Sequence, residues 1–390
     1  MSKHEGITHT LGRGGVCAGS NPTAVPRASP LKQQPTVSII IKALNEERHI
    51  ASAIEGALAA LREIDGEVIL ADGGSTDRTI EIARGYPIVI VQLNRTDDRS
   101  CGSGAQLGYQ YSRGRYLLLT DGDMRLYPGF LPVAIEMLAL NPALAGVGGM
   151  VCEPDAVNEE YEQRRKRDGP DRRIGRVTRL DSSGLYRRAA IESIGYLTDR
   201  NLHGAEEFDL GARLHCAGWT LIKLDRPFVR HEPHTGSAYR LLLRHVFNRR
   251  ACAPGELIRA AMAKRYFWFV MRNNRQWLVG LLVTSWWIML LTIAALPGPL
   301  SALAAGVILL LPFAGMSLRW RSLRLGLYSV AAGNAVALCF WPGLLRPRIA
   351  PASWIESTVV QGADRMRLPI RGQNTFLRSA RSDEPDTMPG

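Results

Sequence analysis

The sequence predicts an α/β domain with a parallel sheet, followed by a small helical membrane domain. Short β-branched runs alternate with segments of helical periodicity up to about residue 235, the signature of strand–helix–strand units. The apolar run Tyr116-Leu117-Leu118-Leu119 ends in Thr120-Asp121-Gly122-Asp123. Its two acids stand at the C-terminal end of a buried strand, where open α/β sheets bind ligands. Farther on, the uncharged stretches 277–296, 300–318 and 325–345 are each long enough to cross a hydrocarbon core, which takes about 20 residues.

At 390 residues and 43.0 kDa, the chain holds one sizeable α/β domain and a further part. Hydrophobic residues make up 46%, enough for a packed core. The net charge of +12 and isoelectric point near 9.7 suit an anionic membrane face or phosphorylated substrates. No zinc-finger spacing or ribonucleoprotein-type aromatic motif occurs, so nucleic acid is the least favoured partner. The cysteines (17, 101, 152, 216, 252, 339) form no Cys-x-x-Cys pair and read as reduced thiols. Residues 1–35, rich in Gly, Ser, Pro, Thr and Arg, lack apolar periodicity and predict a disordered tail. They hold no apolar core of signal-peptide length, so the N-terminal domain is expected to stay in the cytosol.

Val37-Ser38-Ile39-Ile40-Ile41 predicts the first strand. Asn45 then predicts an N-cap, with Glu46 and Glu47 at the positive end of a helix running to about Leu61. Glu67-Val68-Ile69-Leu70-Ala71 predicts a second strand, ending in Asp72-Gly73-Gly74-Ser75-Thr76-Asp77. A helix through Ile80 and Ala83 and a third strand over 87–93 follow. Asp72 has two readings. It is a carboxylate for a base or ribose, beside glycines that admit a ligand to the backbone, or part of a plain turn in which Ser75 or Asp77 caps the next helix. Arg99-Ser100-Cys101-Gly102-Ser103-Gly104-Ala105-Gln106 is a small-residue loop leading into a helix that ends near Gly114. Glycines at a helix start can cradle phosphate, but the spacing is neither the Rossmann fingerprint nor a Walker A loop. Asp121 and Asp123 read as a divalent-cation pair, since hard cations want carboxylate oxygens, or as an acidic turn.

The order of these parts says more than any one of them. The strand with Asn45-Glu46-Glu47, the Asp72 loop, the Gly/Ala/Gln loop and Asp121-Gly122-Asp123 resemble family 2 glycosyltransferases of the GT-A fold, over about residues 37–235. The resemblance implies that Asp72 binds the nucleotide base and that Asn45, Glu47, Gln106 and Asp121 also line the nucleotide-sugar site. It implies that Asp123, with Asp121 beside it, holds Mg2+ or Mn2+ on the donor diphosphate. Gly73, where many members carry a second aspartate, and Lys42-Ala43, where a Pro-Thr pair is frequent, depart from the pattern.

Downstream, 130–140 predicts a helix and 146–151 a strand. Arginine and lysine crowd the segment from Arg164 to Arg179, read first as a solvated loop and second as a basic loop over a diphosphate. Gly184-Leu185-Tyr186-Arg187-Arg188 is similar to a Gly-x-x-x-Arg segment of the family. A helix follows with Leu210, Leu214 and Ala217 inward, and Glu206 and Glu207 at its start. Crowded carboxylates have raised pKa values, which suits a general base; acids in a first turn also simply complement the helix dipole. The stretch resembles the family's Glu-Asp motif, with Glu207 at the place of the catalytic base. Two more strands are expected, at 218–224 and 228–231. His231 is read as a structural residue or as a group reaching metal or phosphate.

Between 240 and 275 nine Lys/Arg stand against one acid, Glu256, interleaved with aromatic and aliphatic residues. That predicts amphipathic helices on a lipid face. The Gln-x-x-Arg-Trp motif of polymer-forming members does not occur. Arg244-His245-x-x-x-Arg249-Arg250 stands near its place, so Arg244 and Arg249, with His231, are candidate diphosphate ligands. Pro297-Gly298-Pro299 predicts a hairpin between the first two spans, and Arg319, Arg321 and Arg324 put the next connection in the cytoplasm. Three spans send the C-terminal tail outside, whereas Arg346, Arg348, Arg365, Arg367 and Arg371 argue for inside. Gly333-Asn334 and Pro342 allow a re-entrant third segment.

The expected plan is a tail (1–35), a GT-A domain (36–235), basic interfacial helices (236–275), a membrane domain (276–346) and a C-terminal tail (347–390). The resemblance implies an enzyme at the cytoplasmic face of a bacterial inner membrane, of the kind that builds polysaccharides or modifies lipids. It would move a sugar, with inversion, from a nucleotide diphosphate sugar (a UDP-sugar first) to a lipid-linked or glycan acceptor. Glu207 would take the acceptor proton. One alternative is loading of a sugar onto polyprenyl phosphate, whose nucleophile is already ionised. Another is a membrane-anchored sugar-nucleotide-binding protein without catalysis.

Overall fold

The computed structural model describes residues 34–153, 158–166, 173–232 and 236–362, all within one compact unit. The expectations for the tail before Gln34, for Arg167 and Arg172, and for Arg365, Arg367 and Arg371 lie outside the described residues.

Four parallel strands form the nucleotide half: β1 (Val37–Ala43), β2 (Gly66–Asp72), β3 (Val89–Leu93) and β4 (Tyr116–Asp121), in the spatial order β3-β2-β1-β4. Their unbroken apolar runs suit a parallel sheet covered on both faces. Ile39 and Ile41 point to one side, with Ile50, Ile54 and Ala57 of α1 (Ile50–Ala60). Ile40, Leu117 and Leu119 point to the other, toward Ala105 of α3 (Cys101–Tyr111) and Leu210 of α7 (Glu206–Cys216). The short α2 (Thr79–Ala83) joins β2 to β3.

Beyond β4 the sheet turns mostly antiparallel. It runs on through β8 (Gly184–Arg187), β6 (Leu144–Cys152), β9 (Thr220–His231) and β5 (Met124–Leu126), with β7 (Gly175–Val177) paired to β9. The helix α4 (Phe130–Leu140) follows β5, α5 (Glu159–Lys166) follows β6, and α6 (Arg188–Ser193) follows β8.

Three local expectations are corrected. Asn45 does not cap α1, which begins at Ile50; Asn45 instead adopts a left-handed φ of 58°. The small-residue loop is already helix: α3 starts at Cys101, capped by Ser100, whose hydroxyl accepts the Ser103 N–H in a capping box. Its glycines permit packing rather than a phosphate cradle, since a Cβ at Gly102 would collide with the Asp199 carbonyl and one at Gly108 with Ile40. The strands expected at 218–224 and 228–231 are one, β9, because the antiparallel partner β5 and the parallel partner β6 hold its whole length.

After β9 come α8 (Ala238–Phe247), a 3-10 turn at Arg250–Cys252, α9 (Ala253–Ala261) and α10 (Phe267–Asn273). α8 keeps an exposed apolar face. α9 does not lie on a lipid face; Leu257 and Ala261 are buried with Phe208 and Ala212 of α7. Among the described residues, three helices are long and apolar enough to cross a membrane: α11 (Gln276–Ala294), α12 (Pro299–Trp320) and α13 (Leu323–Leu345). The chain then returns to the α/β layer. Ile355 enters the core beside β3, and β10 (Ser357–Gln361) pairs antiparallel with β3 as an edge strand.

Candidate active site

The C-terminal ends of β1 and β4 and the start of α7 meet in one cleft. Lys42, next to last in β1, extends its ammonium into it. Its Nζ lies 3.0 Å from Asp121 Oδ1, 3.2 Å from Glu206 Oε1 and 3.9 Å from Glu207 Oε1. Burial works against the charge on Lys42, but the three carboxylates outweigh it and hold its pKa well above the usual lysine value. Burial, and then the neighbouring Glu206, push Glu207 up to about 8, with Lys42 pulling the other way. The two glutamates are delivered by an abrupt helix start at Ala205, a non-glycine residue with φ 61°.

The second acid of the β4 turn is held from a different direction. His231, at the end of β9, places Nε2 3.3 Å from Asp123 Oδ2 and Nδ1 3.1 Å from Glu153 Oε1. Burial disfavours the imidazolium, but the hydrogen bonds to Asp123 and Glu153 outweigh it and raise its pKa to about 9. Pairing of β5 with β9 sets this alignment, and the Glu232 N–H donates to the Asp123 carbonyl at 3.1 Å. Glu46 is pushed up to about 7 by burial and by the charge of Asp123.

Asp121, Asp123 and Glu207 are therefore brought together as expected. The other expected nucleotide ligands make hydrogen bonds within the protein. Asp72 is fully buried; its oxygens accept the Gly74 and Ser75 N–H groups, the Ser75 hydroxyl and Gln92 Nε2. It shapes its own loop, which Arg99 clamps from outside through the Gly73 and Gly74 carbonyls. Asn45 Oδ1 accepts the Thr76 N–H, and the Glu47 N–H donates to Asp77 Oδ2, so both tie the β1–α1 turn to the β2–α2 loop. Gln106 is buried, with Oε1 accepting the Leu197 and Thr198 N–H groups. His231 holds Asp123 rather than standing open to a phosphate.

Arg244 is exposed on α8, and Arg249 lines a cavity of about 480 Å3 beside Pro342 and Arg346. The arginine within electrostatic reach of Asp121, Glu206, Glu207 and Cys101 is Arg250. Sequence reasoning missed Lys42, Glu46 and Arg250 as site residues. The available signal was Lys42 itself, a charge at the end of a buried apolar strand, which requires acids nearby.

Among the described residues, no group of three or more His, Cys, Asp and Glu is arranged to hold a metal unaided. The donors at the β4 turn are nevertheless hard carboxylate oxygens on Asp121 and Asp123. Their chemistry fits Mg2+ or Mn2+ with further ligands from a diphosphate.

Residues 38–195 match the family model described as Glycosyl transferase family 2. This segment is a family 2 glycosyltransferase domain. Over 116 residues, covering 29% of this chain and 27% of the relative, it is 34% identical to the low-salt glycan biosynthesis hexosyltransferase Agl6 of Haloferax volcanii. Over 111 residues it is 35% identical to an undecaprenyl-phosphate 4-deoxy-4-formamido-L-arabinose transferase of Pectobacterium carotovorum, covering 26% of this chain and 33% of that protein. The chain thus spans only about a third or less of the length of these relatives. The family 2 domain has the GT-A fold. The mannosyltransferase PcManGT from Pyrobaculum calidifontis, solved in complex with GDP-Man and Mn2+, superposes with a TM-score of 0.50 at 16% identity, over 79% of this chain and 88% of that one.

Proposed function

We propose that the chain is an inverting glycosyltransferase that moves a sugar from a nucleotide diphosphate sugar to a membrane-associated acceptor. The observation that supports this most directly is the ion cluster in which Lys42 links Asp121 of the β4 turn to Glu207 of α7. It sets a carboxylate with a pKa of about 8 beside a pair of hard oxygen donors in one cleft. A base of that pKa is matched to a sugar hydroxyl near neutral pH.

In this reading Glu207 accepts the acceptor hydroxyl proton as the oxygen attacks the anomeric carbon. Lys42 keeps Asp121 and Glu207 in register. His231 holds Asp123, and Arg250 adds positive charge for phosphate oxygens. A divalent cation held by Asp123 and Asp121 would supply charge neutralisation at the leaving diphosphate. Asp72 shapes the loop against which the nucleotide base rests, rather than bonding it directly. The apolar helices support a membrane-associated acceptor; the reading takes it as lipid-linked, at the cytoplasmic face of a bacterial inner membrane, with a UDP-sugar as the first donor to try.

A second reading takes polyprenyl phosphate as the acceptor. It is favoured by the relative named as an undecaprenyl-phosphate transferase and by Arg250 beside the cleft. One experiment separates the two: nucleoside diphosphate release from a panel of nucleotide sugars, with membrane lipid extract, with and without Mn2+. Glu207→Gln should lower kcat by about 10²–10⁴-fold if a hydroxyl must be deprotonated. Near-full activity of that variant on polyprenyl phosphate would transfer the assignment to the second reading. No release with any donor, from protein shown to be folded, would refute both.

A further inference from the structure

The three long apolar helices are not equivalent. We propose that α13 lies in the plane of the membrane surface as part of the catalytic unit. Only the α11–α12 hairpin then enters the bilayer, and the chain after α13 stays on the side of the family 2 domain.

Both ends of α13 are fastened to that domain. At its start, Gln163 of α5 donates from Nε2 to the Leu325 carbonyl at 2.9 Å and to Ser329 Oγ at 2.7 Å. Arg324 bridges Glu159 and Glu162 of the same helix. Tyr328 meets Tyr239 of α8 edge-on, with ring centroids 5.6 Å apart. Near its other end, Gly255 of α9 lies so close to the Phe340 carbonyl that a Cβ there would collide, and Gly343 lies equally close to the Cys252 carbonyl. Past the helix, Arg348 pairs with Asp199, and β10 joins the edge of the sheet.

A 23-residue helix is about 35 Å long, enough to span a bilayer. A span, however, would separate its two ends by the whole hydrocarbon core, about 30 Å. Here α5 at one end and α9 at the other belong to one folded unit. By contrast, no residue of α12 is buried. α11 and α12 are joined by the short turn around Gly298.

The occupant of the exposed side is the headgroup layer of a bilayer containing anionic lipid. α8 exposes Tyr239, Leu243 and Phe247 at four-residue spacing, one apolar stripe, with Arg240 and Arg244 exposed beside it. On α13, Leu327, Leu338 and Trp341 are exposed. In-plane placement also removes the conflict between an odd number of spans and basic residues at both ends of α13, since Arg319, Arg321, Arg324, Arg346 and Arg348 then share one side.

The test uses the full chain in sealed vesicles of known orientation. One short protease-cleavable tag follows Gly390, and in a second protein the tag is inserted at Gly298. Protease on the domain side should remove the C-terminal tag and spare the Gly298 tag. Removal of the C-terminal tag only from the opposite side overturns the proposal. Independently, Gly343→Leu should lower the melting temperature by several degrees, because its side chain meets the Cys252 backbone. Gly315→Leu on α12, where a Cβ meets nothing within 4 Å, should leave it unchanged. Equal tolerance of both substitutions would show Gly343 facing lipid and likewise overturn it.

Discussion

Two loops at the same edge of the sheet follow the same sequence pattern and do opposite work. After β2 and after β4, a buried apolar strand ends in an aspartate followed by glycine. At the β2 loop the backbone folds back, and Asp72 takes N–H and hydroxyl bonds from residues two and three positions on. Its charge is consumed locally. At the β4 turn the acids are met by side chains from distant parts of the chain, Asp121 by Lys42 and Asp123 by His231. Asp72 staples its own loop, whereas the acids of the β4 turn join a charge network built from distant elements. Whether a carboxylate is available for chemistry depends on where the neighbouring N–H groups point, which Asp-Gly alone does not specify.

The largest effect should come from Asp123→Ala. Loss of one preorganised charge at the reacting centre costs about 10²-fold or more in kcat, and because Asp123 pairs with His231 stability should also fall, by about 1–3 kcal/mol; both are read on the same purified protein. Lys42→Met comes next. It leaves Asp121, Glu206 and Glu207 without their shared cation, and breaking such a buried pairing costs about 3–5 kcal/mol, measured by denaturant titration. It also removes the influence that lowers the Glu207 pKa. The acid limb of the kcat profile, expected near 8 in the parent, should therefore move to higher pH.

His231→Gln is a smaller and pH-dependent case. The imidazole pKa is raised from 6.5 to about 9 in the folded protein. Its contribution is therefore fully present below about pH 6.5 and lost as pH rises through about 9. The variant should be less stable by about 1.5–3 kcal/mol at pH 6 and match the parent at pH 10. The smallest effect is expected from Asp72→Asn, which keeps an acceptor oxygen on the loop: about 1 kcal/mol in stability and a modest rise in donor KM. If Asp72→Asn instead abolished turnover without changing stability, the contrast between the two loops would collapse and Asp72 would touch the nucleotide.

Much of the frame was legible because it rests on short-range pattern. The run 37–41 and the apolar stretch at 116–119 became buried strands, and 130–140 became α4 at the expected residues. Asp121, Asp123 and Glu207 stand out in the sequence because each sits at the end of a periodic element. Lys42 was seen only as a departure from a family pattern, since its partners are separated from it by most of the domain. Arg250 was passed over for Arg249 because spacing cannot tell which of two adjacent arginines stands near the carboxylates; Arg249 takes a left-handed φ of 62° at the entrance to the 3-10 turn. For the third apolar helix the sequence leaves a span and a re-entrant segment both open, for a similar reason. Hydropathy measures what a helix tolerates around it, not whether protein or lipid is there.

The pairing of β10 with β3 has a consequence for the order of assembly. Leu93 is synthesised long before its partner Ser357. In between, the ribosome must produce α11, α12 and α13, the helices long and apolar enough to cross a membrane. Until then the outer edge of β3 carries unpaired backbone groups, a template for association with other chains. Completion of the sheet therefore waits on nearly the whole chain: nascent chains stalled or cleaved before residue 357 would expose that edge and be the ones prone to aggregate.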